Sequence, residues 1–390
     1  MKIIYATETE PKKITRSVFL AGPSPREAKH ANWRIDALRL LEEAEYDGVV
    51  FIPLPRDGQF PKNYDDQVEW ETKYLNMADV ILFWVPRELN TLPAFTTNVE
   101  WGMWLDSGKA ILGYPEDAPK MRYIAHHARN NKIPVFHSLK ETIDETLAKL
   151  KVGALRTGGE KQVPLCIWKL PHFQEWYKKQ VGAGNRLDGA QVLWSFFVGP
   201  KNNSCFAYAL HVNVYIAAEN RNKTNEFIIS RPDIATIVAY KLGNSIEDTQ
   251  LALIKEFRSL SRTDDGYIRE VPGGSSWKPG EDVLEIMIHE LEEETGLTVS
   301  DKERIRHIGA RQVGGTLSAH MAHVFAIELN DREFEFLQAQ ERENITHGIT
   351  EDTELTYVEI VRLSDLLSNH SCSVDWSMLG MIFAAIPLQK

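Results

Sequence analysis

A strand-then-helix alternation runs through the first 150 residues and limits that part of the chain to a small set of folds. Short β-rich runs at 18–21, 49–52, 79–85, 109–114 and 132–136 are separated by helical patterns at 31–44, 63–77, 98–107, 119–129 and 139–150. Such alternation predicts an α/β domain, a parallel sheet covered by helices on both faces in a doubly wound, flavodoxin-like arrangement. Ligands of such sheets bind beyond the carboxyl ends of the strands.

After residue 150 the pattern changes. Residues 151–164 carry Gly153, Gly158-Gly159 and Pro164 and read as a hinge. Residues 165–200, with Trp168, Phe173, Trp176 and Tyr177, read as an aromatic connecting segment. Strand-like runs follow at 206–217, 225–230, 236–240, 304–312, 320–329 and 356–361, with 250–257 a helix or a strand and helical patterns at 364–369 and 374–386. Strands on both sides of one glutamate-rich helix predict a second, α+β sandwich domain. The expected division is therefore 1–150, a linker at 151–200, and 201–390.

Composition bounds the partners. A net charge of −11 without a basic block argues against long nucleic acid. No apolar run approaches a membrane span, and the first residues carry no charged-then-apolar leader. Cys166, Cys205 and Cys372 form neither a disulfide framework nor a zinc pattern. The cytoplasm is the expected compartment.

The strongest chemical signal lies between Gly273 and Leu297. A glycine-rich turn, Gly273-Gly274, feeds a helix on which Glu290, Glu293 and Glu294 fall at i, i+3 and i+4 and share one face. Leu284, Met287, Ile288 and Leu291 line another face and suit packing on a sheet. Asp282 with Glu285 makes a capping-box pattern, and Gly296 sits where a helix ends. Three crowded carboxylates repel one another unless a hard cation lies between them, and Mg²⁺ (or Mn²⁺) accepts such oxygen ligands. Glu281 is placed to serve a second ion.

The run resembles the Nudix box: Glu281, seven residues, then His289-Glu290-Leu291-Glu292-Glu293-Glu294-Thr295-Gly296-Leu297. His289 stands where that pattern has arginine, and six residues separate Gly274 from Glu281 where it has five. Flanking segments are similar to the ADP-ribose pyrophosphatase branch of that family. They are Leu253–Arg258 before Glu270-Val-Pro-Gly-Gly274, Gln312-Val-Gly314-Gly315-Thr-Leu-Ser318, and the acidic loop Thr350-Glu351-Asp-Thr-Glu354. The resemblance implies Arg258, Gly314 and Gly315 at the substrate and Glu351, or second Glu354, as the base for water attack on a diphosphate.

In the first half, Val18-Phe-Leu-Ala-Gly22-Pro23 runs a strand into a turn whose backbone amides suit a phosphate or ribose. With Asn76–Trp84 and Phe95-Thr-Thr-Asn-Val-Glu100-Trp-Gly102-Met-Trp104, it resembles the nucleoside 2-deoxyribosyltransferase family over most of residues 15–145. The resemblance implies Glu100 as the nucleophile on the anomeric carbon. We expect Glu100 in the first turn of its helix, where backbone N–H groups favour an ionised carboxylate. Asp79 and the pair Trp70-Glu71 are candidates for assisting base departure, and Trp33, Trp84 and Trp101 for stacking on a base. Position 94, where that family has aspartate, is alanine.

Together the halves predict a two-module enzyme of nucleotide metabolism acting on small nucleosides or nucleotides. Both resemblances imply a homodimer. The alternative is a sensor in which one or both modules bind a nucleotide without turnover.

Overall fold

The computed structural model describes residues 1–25, 32–199, 204–276, 278, 280–348, 354–368 and 373–387. The chain divides into two compact units, Met1–Ser230 and Arg231–Lys390.

The first unit begins β1 (Lys2–Tyr5), β2 (Lys13–Ile14), β3 (Ser17–Ala21), α1 (Trp33–Glu43), β4 (Val49–Ile52), α2 (Tyr64–Met77), β5 (Val80–Trp84) and α3 (Phe95–Trp104). It continues with β6 (Ala110–Gly113), α4 (Arg122–Asn130), β7 (Val135–Phe136), α5 (Leu139–Leu150), β8 (Arg156–Thr157), α6 (Leu165–Trp168) and α7 (Pro171–Gly182). Side-chain amides or a hydroxyl start three of the helices: Asn32 accepts from Arg34 N, Asn63 from Asp65 N and Ser138 from Glu141 N.

Six strands form a parallel sheet in the order β1-β4-β3-β5-β6-β7. Alternate residues of each strand point to opposite faces, and the core divides accordingly. Phe19, Phe51, Ile81 and Phe83 pack with Trp70, Tyr74, Trp101 and Ile124 from α2, α3 and α4. Val18, Leu20, Val50 and Leu82 pack with Trp33, Leu41 and Ile143 from α1 and α5. Burying each such side chain contributes about 1.5–3 kcal/mol. The strand order turns around β3, which has β4 on one side and β5 on the other. That reversal opens a crevice at the carboxyl ends of β3 and β5.

The same unit ends in a three-stranded antiparallel sheet, β9 (Arg186–Val198), β10 (Ser204–Ile216) and β11 (Arg221–Ser230). The boundary expected at residue 200 thus falls between two paired strands. Segment 186–198, read as a connection, is a strand whose Leu193, Trp194 and Phe196 are exposed, so it lacks the in–out contrast that marks one.

The second unit contains β12 (Ile234–Lys241), β13 (Gln250–Phe257), β14 (Tyr267–Glu270), β15 (Gly273–Gly274), α8 (Val283–Thr295), β16 (Arg306–Gln312) and β17 (Met321–Glu328). It ends with α9 (Asp331–Glu343), β18 (Thr346–His347), β19 (Thr356–Arg362), α10 (Leu363–Ser368) and α11 (Trp376–Ala385). The strands form one mixed sheet, in which β12 runs parallel to β17 and antiparallel to β13. Met287 and Leu291 of α8, with Leu337 of α9, cover one face. Leu363 and Ile382 cover the other. Helix α9 went unread because its apolar stripe is thin: only Leu337 is buried. Among the described residues no helix is long and apolar enough to cross a membrane.

Candidate active site

The crevice of the first unit is built on the turn after β3. Gly22 has φ +149°, and a Cβ there would lie 2.1 Å from the Trp84 carbonyl oxygen. Only glycine lets the turn approach β5 this closely. Beneath the turn lies Arg34 of α1, 1 % exposed. Its guanidinium donates to the carbonyls of Leu20 (3.1 Å), Gly22 (2.8 Å) and Pro23 (3.3 Å) and to Ser24 Oγ (3.3 Å). It also stacks on the Trp33 ring at 4.6 Å. Burial lowers its pKa to about 10, while Glu100 and Glu71 hold it up.

Those two carboxylates come from α3 and α2. Burial, then repulsion by Glu71, pushes the Glu100 carboxyl up to about 7, against the pull of Arg34. Burial also raises Glu71, opposed by a hydrogen bond from Gln67 Nε2 (2.7 Å) and by Arg34. Gln67 is anchored in turn on the Pro53 carbonyl (3.3 Å). Two acids of elevated pKa thus share one arginine, an arrangement that can keep one protonated while the other is ionised.

One expectation is corrected. Helix α3 starts at Phe95 and has no acidic residue in its first turn. Glu100 is its sixth residue, beyond the reach of the free N–H groups. Burial, not the helix terminus, governs its charge. Ala94, at the aspartate position, precedes the helix in a left-handed conformation (φ 59°) without a side-chain cap. Trp33, Trp84 and Trp101 are 4–7 % exposed and belong to the core.

Asp79 is not brought to this site. It lies just before β5, at the amino end of the sheet, where it accepts from Ser17 N (2.8 Å), Ser17 Oγ (3.0 Å) and Leu165 N (2.9 Å). Arg156 grips it through two nitrogens, at 2.8 and 2.7 Å. Gly22 and Asp79 stand at opposite ends of a five-residue strand, roughly 16 Å apart. With its oxygens filled this way, Asp79 is a structural anchor.

In the second unit, Gly273 N donates to Glu294 Oε2 (2.8 Å), and a Cβ on Gly274 would lie 2.3 Å from Glu290 Oε1. The glycine pair therefore rests directly on the carboxylates of α8. Glu294 is 3 % exposed, and burial drives its pKa well above the usual range. Burial, then Glu293 and Glu354, pushes Glu290 up to about 7. Burial does the same to Glu256, helped by Glu354 and opposed by Arg258. Arg258 pairs with Glu256 (2.8 Å) and Glu270 (2.9 Å). His289, at the arginine position, is exposed and meets Glu293 at 3.3 Å.

The other expected members lie on other segments. Glu281 is exposed and faces Lys278 at 3.8 Å, and the helix between it and Glu290 spans roughly 10 Å. Gly314 and Gly315 lie in the β16–β17 hairpin, where Gly314 O accepts from Leu317 N and Ser318 N. Glu351 lies outside the described residues. Among the described residues no group of three or more His, Cys, Asp or Glu side chains is arranged to hold a metal ion.

Comparison with known proteins bears on the first unit. Residues 15–118 match the family model described as nucleoside 2-deoxyribosyltransferase like. The match spans the Gly22 turn, Arg34, Glu71 and Glu100. No curated protein matches the chain.

Arg34 escaped the sequence reading. In sequence it is one charge early in an amphipathic helix, and nothing in the 3.6 period tells a buried arginine from a solvated one. The adjacent Trp33 was the available signal: an aromatic–arginine pair directly after a Gly-Pro turn.

Proposed function

We propose that the first unit cleaves or transfers at the N-glycosidic bond of a nucleoside or nucleotide. The reading rests on the electrostatic coupling of Glu100 and Glu71 to Arg34, which holds the Gly22 turn, and the family match over residues 15–118 supports it. Glu100, when ionised, attacks the anomeric carbon. The carbon–nitrogen bond breaks as the glycosyl ester forms, and the departing base takes its proton from solvent water. Water or a second base then attacks the glycosyl ester and frees the Glu100 carboxylate, as in retaining glycosidases. Arg34 fixes the turn and steadies the ionised state of Glu100. The test is release of free base from a panel of nucleosides and nucleotides. Glu100→Ala should abolish release, and equal release by variant and wild type overturns the assignment.

A second reading concerns the second unit, which we take as a Nudix-type fold acting on a diphosphate of the ADP-ribose or nucleotide-sugar class. It is favoured by Glu290 and Glu294, whose proton affinity burial and neighbouring carboxylates raise beneath Gly273-Gly274. Their oxygen-only chemistry fits Mg²⁺ or Mn²⁺, and Glu290, Glu293 and Glu294 would hold the ion once their side chains turn towards it. A bound ion of this kind neutralises charge developing on the diphosphate and acidifies water. Gly273-Gly274 keeps the approach to the carboxylates free of side chains, and Glu354, whose charge acts on both Glu290 and Glu294, is the candidate base. AMP release with Mg²⁺, compared with Glu293→Gln and Glu294→Gln, tests it. A compound that raises the melting temperature without being turned over would instead make this unit a sensor.

A further inference from the structure

The first unit holds a second cavity that neither reading uses. It lies between α3 and α4, beyond the carboxyl ends of β5 and β6, and measures about 390 Å³, within the range of small-molecule sites. Asn98, Trp101, Gly102 and Leu105 form its wall on α3. At 3.6 residues per turn that face points roughly 150° away from Glu100, so the cavity is separate from the carboxylate crevice.

Two buried donors beside it have no partner among the described residues. Arg87 is 6 % exposed. One terminal nitrogen donates to the Lys120 carbonyl (3.1 Å) and the other to Asn98 Oδ1. Its Nε is buried with no partner, as is the indole nitrogen of Trp101. Among the described residues no carboxylate pairs with Arg87. A buried guanidinium without a counter-charge is costly, and its fork of donors matches a planar or tetrahedral oxyanion. Lys120 and His127 add basic groups, while Leu105 and Ile124 supply apolar wall. A Cβ placed on Gly102 meets nothing within 4 Å, so the cavity has room beside the helix.

We propose that this cavity binds a compact organic oxyanion with an apolar body, its charged head on Arg87 and its body against Leu105 and Ile124. The head is a phosphate monoester or a carboxylate. Phenyl phosphate and benzoate, which share a ring and differ in the head, separate the two.

The experiment is calorimetric titration of the full chain with each compound. We expect saturable binding of at least one, the tighter naming the head group. Arg87→Gln removes the charge, and Gly102→Leu fills the space without touching Arg87. Each should weaken binding at least ~10-fold, the equivalent of about 1.4 kcal/mol. Glu100→Gln should bind as wild type does. If Arg87→Gln does not fold, Gly102→Leu decides. The proposal is overturned if neither compound saturates at millimolar concentration, if Gly102→Leu binds as wild type does, or if Glu100→Gln abolishes binding.

Discussion

At the scale of single residues, the proposed nucleophile Glu100 carries a pH prediction for the first unit. Its carboxyl is held at about 7 by burial and by Glu71, with Arg34 pulling it down. If its ionised form attacks the sugar, kcat/KM for base release rises with pH through about 7. Glu71→Gln removes the repelling charge and moves that rise to lower pH. Arg34→Gln removes the supporting charge and moves it to higher pH. Shifts in the same direction for both variants would show that Glu100 does not control the profile. Gly22 offers a second test. A methyl at 2.1 Å from the Trp84 carbonyl forces the turn away from β5, so Gly22→Ala should cost about 1–3 kcal/mol in urea unfolding.

At the scale of elements, α8 shows how far the chain spells out its own boundaries. Asp282 and Gly296 were both legible, and both cap the helix as expected. The capping box was not realised. Asp282 accepts from Leu284 N (2.9 Å), but Glu285 turns outward to Lys302 (2.8 and 3.0 Å). Thermal unfolding should therefore show Asp282→Ala losing about 1 kcal/mol and Glu285→Ala less than about 0.5 kcal/mol, the worth of an exposed pair. Helix α3 was harder to place. With no side chain capping its start, its first turn carries no sequence signal, and Glu100 was assigned a turn too early.

The carboxylates of α8 carry a linkage consequence. The folded-state pKa of Glu290 lies near 7 against an ordinary 4.5. The unfolded chain therefore ionises first, and stability present below about pH 4.5 is lost as pH rises towards 7. Melting temperature in metal-free buffer should fall across that window, and Glu290→Gln should flatten the fall. A profile unchanged by that substitution would show that the α8 carboxylates are not crowded in solution.

At the scale of the whole molecule, the parallel sheet was legible because each of its central strands is a short apolar run flanked by amphipathic helices. Where the units divide was not, since the exposed aromatic strand β9 carries no periodic mark. Asp79 was misread for a related reason: sequence gives proximity to a strand but not which end of the sheet faces ligand. Here it joins β3, β5 and the segment after β8 through Ser17, Leu165 and a fully buried Arg156. Removing one partner of such a pair leaves an uncompensated buried charge, worth roughly 3–5 kcal/mol. Each unit has its own core, so Asp79→Asn should lower the calorimetric transition of the first unit and leave that of the second in place. Base release, measured well below the lowered transition, should persist. Its loss in a still-folded variant would return Asp79 to the chemistry and remove it from the frame.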